Sequence, residues 1–234
     1  MNQKLKYQSC NLGNYIIPID TRGGVCIDIG ANVGSFLKKY FQFFDKIYFY
    51  EPQNYCYNIC QSLKFKNIIG YKEAVYNKSG CKLKLLAHKN YDSGSSAIKT
   101  DVINEDWSNN IIEEVISVDL ETVLQRAGSK VDYMKIDIET GEYHFLMYKD
   151  LKPIKYIGME IHWQMGKLKW NELFKYITES HYLIGNSTWH KNKNKEVLFV
   201  SKESVSLYNF LKLKITKQYL RYFRFWLIRI LKKI

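Results

Sequence analysis

The run Val25-Cys26-Ile27-Asp28-Ile29-Gly30-Ala31-Asn32-Val33-Gly34 decides how the rest of the chain reads. A short, largely apolar strand ends in a turn framed by two glycines, and residues 33–43 then continue with a helix-forming composition. A strand apolar on both faces belongs in a parallel sheet covered by helices. Glycines at 30 and 34 let the backbone approach a ligand closely. The helix start behind them presents free amide donors.

Outward from this run the pattern repeats. Residues 46–50 (KIYFY) give a second strand, 53–64 a helix and 67–73 a third strand, so a βαβαβ order predicts a doubly wound α/β fold. Residues 82–86 and 114–118 read as strands, with a polar stretch including Asp92–Ser96 between them, and 119–127 as a helix. A fourth main strand at 131–137 leads to a helix at 140–148, and a fifth at 155–161 to a helix near 169–179. Strands near 181–186 and 195–201, with Asn192-Lys193-Asn194 between them, form a predicted hairpin.

Ligands of open α/β sheets sit at the carboxyl ends of the strands. There the first strand offers Asp28, Gly30, Ala31, Asn32 and Gly34, the second Glu51, and the third Glu73 and Ala74. A dinucleotide site would carry G-x-G-x-x-G to seat a pyrophosphate. Here Asn32 replaces the second glycine, which fits a ligand without one. Glu51 is placed to accept both ribose hydroxyls of an adenosine, and Glu73-Ala74 to flank its adenine.

At 234 residues the chain is long enough for one domain with an appendage. Apolar residues at 46% exclude a disordered composition. Residues 1–204 read as the domain and 205–234 as a tail. That tail carries eight bases and no acid; removing these eight from the net charge of +12 leaves only +4. The core therefore offers little for nucleic acid. Five cysteines match no zinc spacing and read as buried, reduced thiols of a cytoplasmic protein.

In order along the chain, VCIDIGANVGSF, IYFYEP, EAVYNKSG, Ser95-Ser96, VISVDLETVL, VDYMKIDIETGEYHFL and GMEIH resemble the FkbM-type methyltransferases over roughly residues 20–163. The resemblance implies a Rossmann-like class I methyltransferase fold: a seven-stranded, mostly parallel sheet with helices on both faces and the last strand antiparallel. It implies S-adenosyl-L-methionine bound near Asp28, Gly30, Asn32, Gly34, Glu51 and Glu73, and O-methylation, commonly of sugars or of hydroxyls on secondary metabolites. One departure stands out. The family often has a glycine directly after the second acid of D-x-E-G-x-E, whereas here Thr140 follows Glu139 and the glycine is Gly141.

Methyl transfer to a hydroxyl needs the acceptor oxygen positioned and its proton removed. Asp137 and Glu139 follow the fourth strand, and Glu160 and His162 end the fifth. Asp137 or His162 is the candidate proton acceptor, and Glu139 the residue that orients the acceptor. Asp137, Glu139 and His162 could also hold a divalent ion; the simpler reading is metal-free. Glu142 reads as an early-helix acid favoured by the helix dipole. Lys135 reads as a stem packed in the sheet with its amine reaching the edge.

In the tail, Lys217, Arg221, Arg224 and Lys232 fall at helical spacing, opposite Leu220, Phe223, Leu227, Ile230, Leu231 and Ile234. This pattern suits an anionic membrane surface, which would make the enzyme peripheral to a membrane. Packing on the domain or on a second copy of the chain competes with that reading, and RNA is a third partner. Two further classes stand beside a sugar O-methyltransferase: a non-catalytic cofactor-binding scaffold and an RNA methyltransferase.

Overall fold

The computed structural model describes residues 7–9, 15–88, 97–98, 110–184, 195–206 and 210. An antiparallel pair, β1 (Tyr7–Ser9) and β2 (Ile16–Pro18), opens the chain. The βαβαβ start follows as β3 (Val25–Ile29), α1 (Ser35–Tyr40), β4 (Lys46–Tyr50), α2 (Asn54–Ser62) and β5 (Ile68–Tyr71). Next come β6 (Ala74–Val75), β7 (Lys82–His88), β8 (Ala97–Ile98), β9 (Asn110–Val118) and α3 (Leu120–Arg126). The second half holds β10 (Val131–Ile136), α4 (Glu142–Leu146), β11 (Ile154–Ile161), α5 (Lys167–Ser180), β12 (His181–Ile184) and β13 (Lys195–Ser201).

The central sheet has the order β12-β13-β11-β10-β3-β4-β5. Its pairings are parallel except at β13, which runs antiparallel to both neighbours. This is the Rossmann-like, seven-stranded topology with the last strand reversed. A smaller sheet, β6-β9-β7-β8, stands beside it.

Both faces of the large sheet are buried, which is why its strands read as continuous apolar runs. One face carries Ile27, Ile29, Met134, Ile136, Ile157 and Met159 against α3, α4 and α5. In α5, Trp170, Leu173 and Ile177 recur at helical spacing and are buried, each contributing about 1.5–3 kcal/mol of apolar transfer. The other face carries Cys26, Tyr133, Tyr156 and Phe49 against α1 and α2. Asp28 and Lys135 lie on that second face and are cross-strand partners.

Several boundaries differ from the sequence reading, each with a local cause. The third strand stops at Tyr71, and Ala74-Val75 pair instead with β9 in the small sheet. The first helix begins at Ser35 because Asn32 and Gly34 take φ of 49° and 75°, outside the helical region. Helix α4 is only Glu142–Leu146, because Glu139 and Thr140 take φ of 48° and 77°. Asp119 is the N-cap of α3 rather than its first residue; its carboxylate accepts from the Thr122 amide at 3.0 Å.

The stretch around Asp92–Ser96, the Asn192-Lys193-Asn194 turn and nearly all of the basic tail lie outside the described residues. Of the tail, Val205 and Phe210 pack into the core, Phe210 stacking on Tyr182 at 4.4 Å. Among the described residues no helix is long and apolar enough to cross a membrane. The described cysteines, Cys26, Cys56, Cys60 and Cys81, are free thiols.

Candidate active site

The turn after β3 is built by left-handed backbone at Gly30, Asn32 and Gly34. At Gly30 a side chain is impossible: a Cβ would come within 1.9 Å of the Asp137 carbonyl oxygen. The amides of Gly30 and Ala31 donate to the Tyr50 carbonyl at 3.0 and 3.3 Å, which ties the turn to the end of β4.

One residue on, Glu51 grips the same turn. Its carboxylate accepts from the Asn32 amide at 2.7 Å and from the Gln53 amide at 2.9 Å. Burial pushes the Glu51 carboxyl up to about 7, against the pull of those two amides. A carboxylate has about four lone-pair sites, so two remain for hydroxyl donors such as a ribose diol. The donor set therefore fits an adenosine-bearing cofactor at Gly30, Asn32, Gly34 and Glu51.

Asp28 and Glu73 do something more specific than their positions suggested. Asp28 is fully buried, and its Oδ1 lies 3.2 Å from Lys135 Nζ. Lys135 also donates to the Gly30 carbonyl at 2.6 Å and lies 3.6 Å from Asp137 Oδ2. Burial opposes the charge on Lys135, yet Asp28 and Asp137 outweigh it and raise its pKa. Glu73 forms a two-pronged ion pair with Arg126. The Arg126 guanidinium also sits over the Tyr71 ring, 4.3 Å from its centroid. Ala74 is buried beside Leu85 and Val115.

At the far side of Lys135 the ends of β10 and β11 converge. His162, 1% exposed, holds its Nδ1 at 2.8 Å from Glu142. Its Nε2 faces Glu139 at 3.3 Å and Asp137 at 3.6 Å. Burial works against the imidazolium, but the charges of Glu142 and Glu139 and their hydrogen bonds raise it to about 11. Glu142 is the first residue of α4 and an acid of its first turn, and it is also fully buried; its carboxylate accepts from the Ile138 amide at 3.3 Å. Glu160 and Glu196 oppose each other across β11 and β13. Burial first, and then Glu160 and Asp137, push the Glu196 carboxyl up to about 7.

The structure thus brings Asp137, Glu139 and His162 together, and Lys135 links them to the Asp28–Gly30 turn. Sequence reasoning missed Glu142 as the holder of His162, Arg126 as the partner of Glu73, and Tyr15, whose buried hydroxyl belongs to this end of the sheet. A buried acid and a lone lysine at matching positions of two apolar strands, Asp28 and Lys135, were the readable signal. Tyr15 gave none.

Residues 28–184 match the methyltransferase FkbM domain. No curated protein is recognisably similar to the chain. Among solved structures, the methyltransferase FkbM from Methylobacillus flagellatus KT is 11% identical, with a TM-score of 0.44 over 75% of this chain and 42% of its own. The chain therefore spans about two fifths of that protein. TrmK from M. capricolum, in complex with S-adenosyl-homocysteine, is 12% identical, with a TM-score of 0.42 over 76% and 62% of the two chains. SMU.1697c from Streptococcus mutans, a putative methyltransferase in complex with the same product, is 7% identical, with a TM-score of 0.40 over 84% and 89%.

Proposed function

Because the chain belongs to the FkbM methyltransferase family, whose cofactor is S-adenosylmethionine, we propose that it transfers a methyl group to a hydroxyl of a sugar. When bound, the cofactor supplies an electrophilic methyl group on a sulfonium. Glu51 accepts hydrogen bonds from the ribose hydroxyls, and the Gly30–Gly34 turn backs the cofactor. Asp28 acts through Lys135, which fixes the Gly30 carbonyl. Glu73 and Ala74 border the adenine side, with Arg126 holding Glu73 in place.

At the acceptor, Asp137 takes the hydroxyl proton and Glu139 orients the acceptor. His162 is the poorer proton acceptor because its two nitrogens already face carboxylates and it retains a proton. Asp137 keeps 29% of its side-chain surface exposed and can meet a substrate. The observation that carries the sugar reading is the concentration of carboxylates at this edge: Asp137, Glu139, Glu160 and Glu196. They offer acceptors to several hydroxyls at once and repel a phosphate backbone.

The test is calorimetry with S-adenosylhomocysteine beside an NAD control, followed by labelled methyl transfer to nucleotide-activated and lipid-linked sugars. Binding with labelled sugar supports the reading. Labelled RNA instead, or binding without any turnover, replaces it with the RNA or scaffold alternative. The basic tail, residues 205–234, would hold the enzyme at an anionic membrane surface near lipid-linked acceptors. Its deletion should then abolish binding to anionic vesicles.

A further inference from the structure

We propose that Asp137, Glu160 and His162 form a binding site for a small divalent cation of the Mn2+ or Mg2+ kind. One ligand atom from each of the three lies within 4.8 Å of the others. A cation about 2.0–2.1 Å from each ligand holds ligand atoms up to about 4 Å apart, so seating it needs only a small side-chain adjustment. One imidazole with two carboxylates is an oxygen-rich set suited to such an ion.

Three independent features point to a cation. His162 is set up as ligand imidazoles are: one ring nitrogen is fixed by a buried carboxylate, Glu142 at 2.8 Å, which turns the other toward the cluster, and an ion bound there takes the place of the proton on that second nitrogen, which leaves to solvent. Glu160 and Glu196 are direct cross-strand partners, and like charges placed this way repel. Lys135 nearby is already committed to Asp28 and the Gly30 carbonyl. Lastly, the Tyr15 hydroxyl is buried, with the residue 6% exposed, and has no hydrogen-bond partner among the described residues, while the charges of Asp137 and Glu160 bear on it. A buried hydroxyl left over at a cluster of this kind is what an ion-bound water satisfies.

The three ligands leave coordination positions open toward the exposed side of Asp137. There the ion would take the acceptor oxygen and polarise its hydroxyl. Asp137 binds through the oxygen facing His162 and leaves the other, on the Lys135 side, for the proton. The ion's role in catalysis rests on the methyl-transfer reading; its binding does not.

The experiment uses the full chain after chelator treatment, titrated with Mn2+ and followed by electron paramagnetic resonance, with Mg2+ as competitor. Expected are one bound Mn2+ displaced by Mg2+, nitrogen coupling from one imidazole, and binding at least about tenfold weaker in Glu160→Gln. Glu121→Gln, a carboxylate paired with Lys149 on the outer surface, should titrate as the parent does. S-adenosylhomocysteine binding by each variant reports an intact fold. No Mn2+ binding by protein that binds S-adenosylhomocysteine overturns the proposal and leaves the methyl-transfer reading standing. So does binding without nitrogen coupling, or binding unchanged in Glu160→Gln.

Discussion

The amine of Lys135 donates to the carbonyl of Gly30 at 2.6 Å, so a charge buried near the end of β10 fixes the turn that follows β3. The residue that looked out of place in an apolar strand is the joint between the Gly30–Gly34 turn and the carboxylates of Asp28 and Asp137. Replacing it with methionine strands Asp28 as an unpaired buried charge. Loss of one partner of a buried pair costs about 3–5 kcal/mol. Chemical denaturation of Lys135→Met should show that loss. The double variant with Asp28→Asn should recover most of the stability without recovering S-adenosylhomocysteine affinity, because the Gly30 carbonyl still lacks its donor.

Gly30→Ala tests the turn itself. The new methyl group collides with the Asp137 carbonyl at 1.9 Å, in a backbone conformation (φ 76°) that already disfavours a side chain. The left-handed conformation alone costs about 1–2 kcal/mol. Moving Asp137 should add an activity loss larger than the fall in thermal midpoint would suggest. Parallel thermal melts and turnover measurements check this.

Glu51 should leave a mark on the pH dependence of stability. Its carboxyl lies near 7 in the folded chain against 4.5 for an exposed one. The native state thus binds the extra proton between these values. Stability contributed by this group is present below about 4.5, declines as pH rises to 7, and stays low above it. The span corresponds to about 3 kcal/mol. Glu51→Gln should therefore gain stability relative to the parent at pH 8 but not at pH 4. It should lose S-adenosylhomocysteine affinity by about tenfold, the worth of one charge-assisted hydrogen bond. An identical pH profile in the two proteins would contradict the assignment.

Asp137→Asn keeps the shape of the side chain and removes its basicity. Turnover should fall by about 10²–10⁴. S-adenosylhomocysteine affinity should stay within about threefold, since the loss is confined to the transition state. Parallel losses of turnover and affinity would remove Asp137 from its role.

Thr140 explains a departure in the sequence pattern. It stands where the resembling family often has glycine, and its φ of 77° is a conformation in which a β-branched side chain is strained. Thr140→Gly should relieve that strain and raise stability by about 1 kcal/mol. A decrease on denaturation would mean that the hydroxyl or methyl group makes contacts worth more than the strain.

The fold was readable because β3, β4, β10 and β11 are apolar on both faces and because acids or glycines follow β3, β4 and β10 directly. The turn at Gly30, Asn32 and Gly34 and its contact with Glu51 were readable for the same reason: these residues sit at strand ends, and strand ends are visible in sequence. The acceptor side was legible only in part. Asp137, Glu139 and His162 also end strands, and the structure brings them together. Glu142 does open a helix, as its position suggested, but its contact with His162 was not legible because helical position says nothing about whether a carboxylate meets an imidazole 20 residues away. Tyr15 and Arg126 reach their places through tertiary packing, and no local pattern marks them. The third strand was drawn too long because the turn at Lys72-Glu73 carries neither glycine nor proline.

The Asp28–Lys135 pair also bears on how the sheet finds its alignment. A slip of β10 against β3 by two residues would keep every apolar side chain on its proper face, so hydrophobic burial alone barely distinguishes the slipped sheet from the correct one. In the slipped arrangement Lys135 would face Cys26 or Gly30 instead of Asp28, leaving two isolated charges in the interior. The ion pair therefore works as a registration key for a strand that joins its neighbour more than a hundred residues after that neighbour was made. A chain relieved of both charges should fold to comparable stability but populate misaligned sheets on the way, visible as an added slow refolding phase.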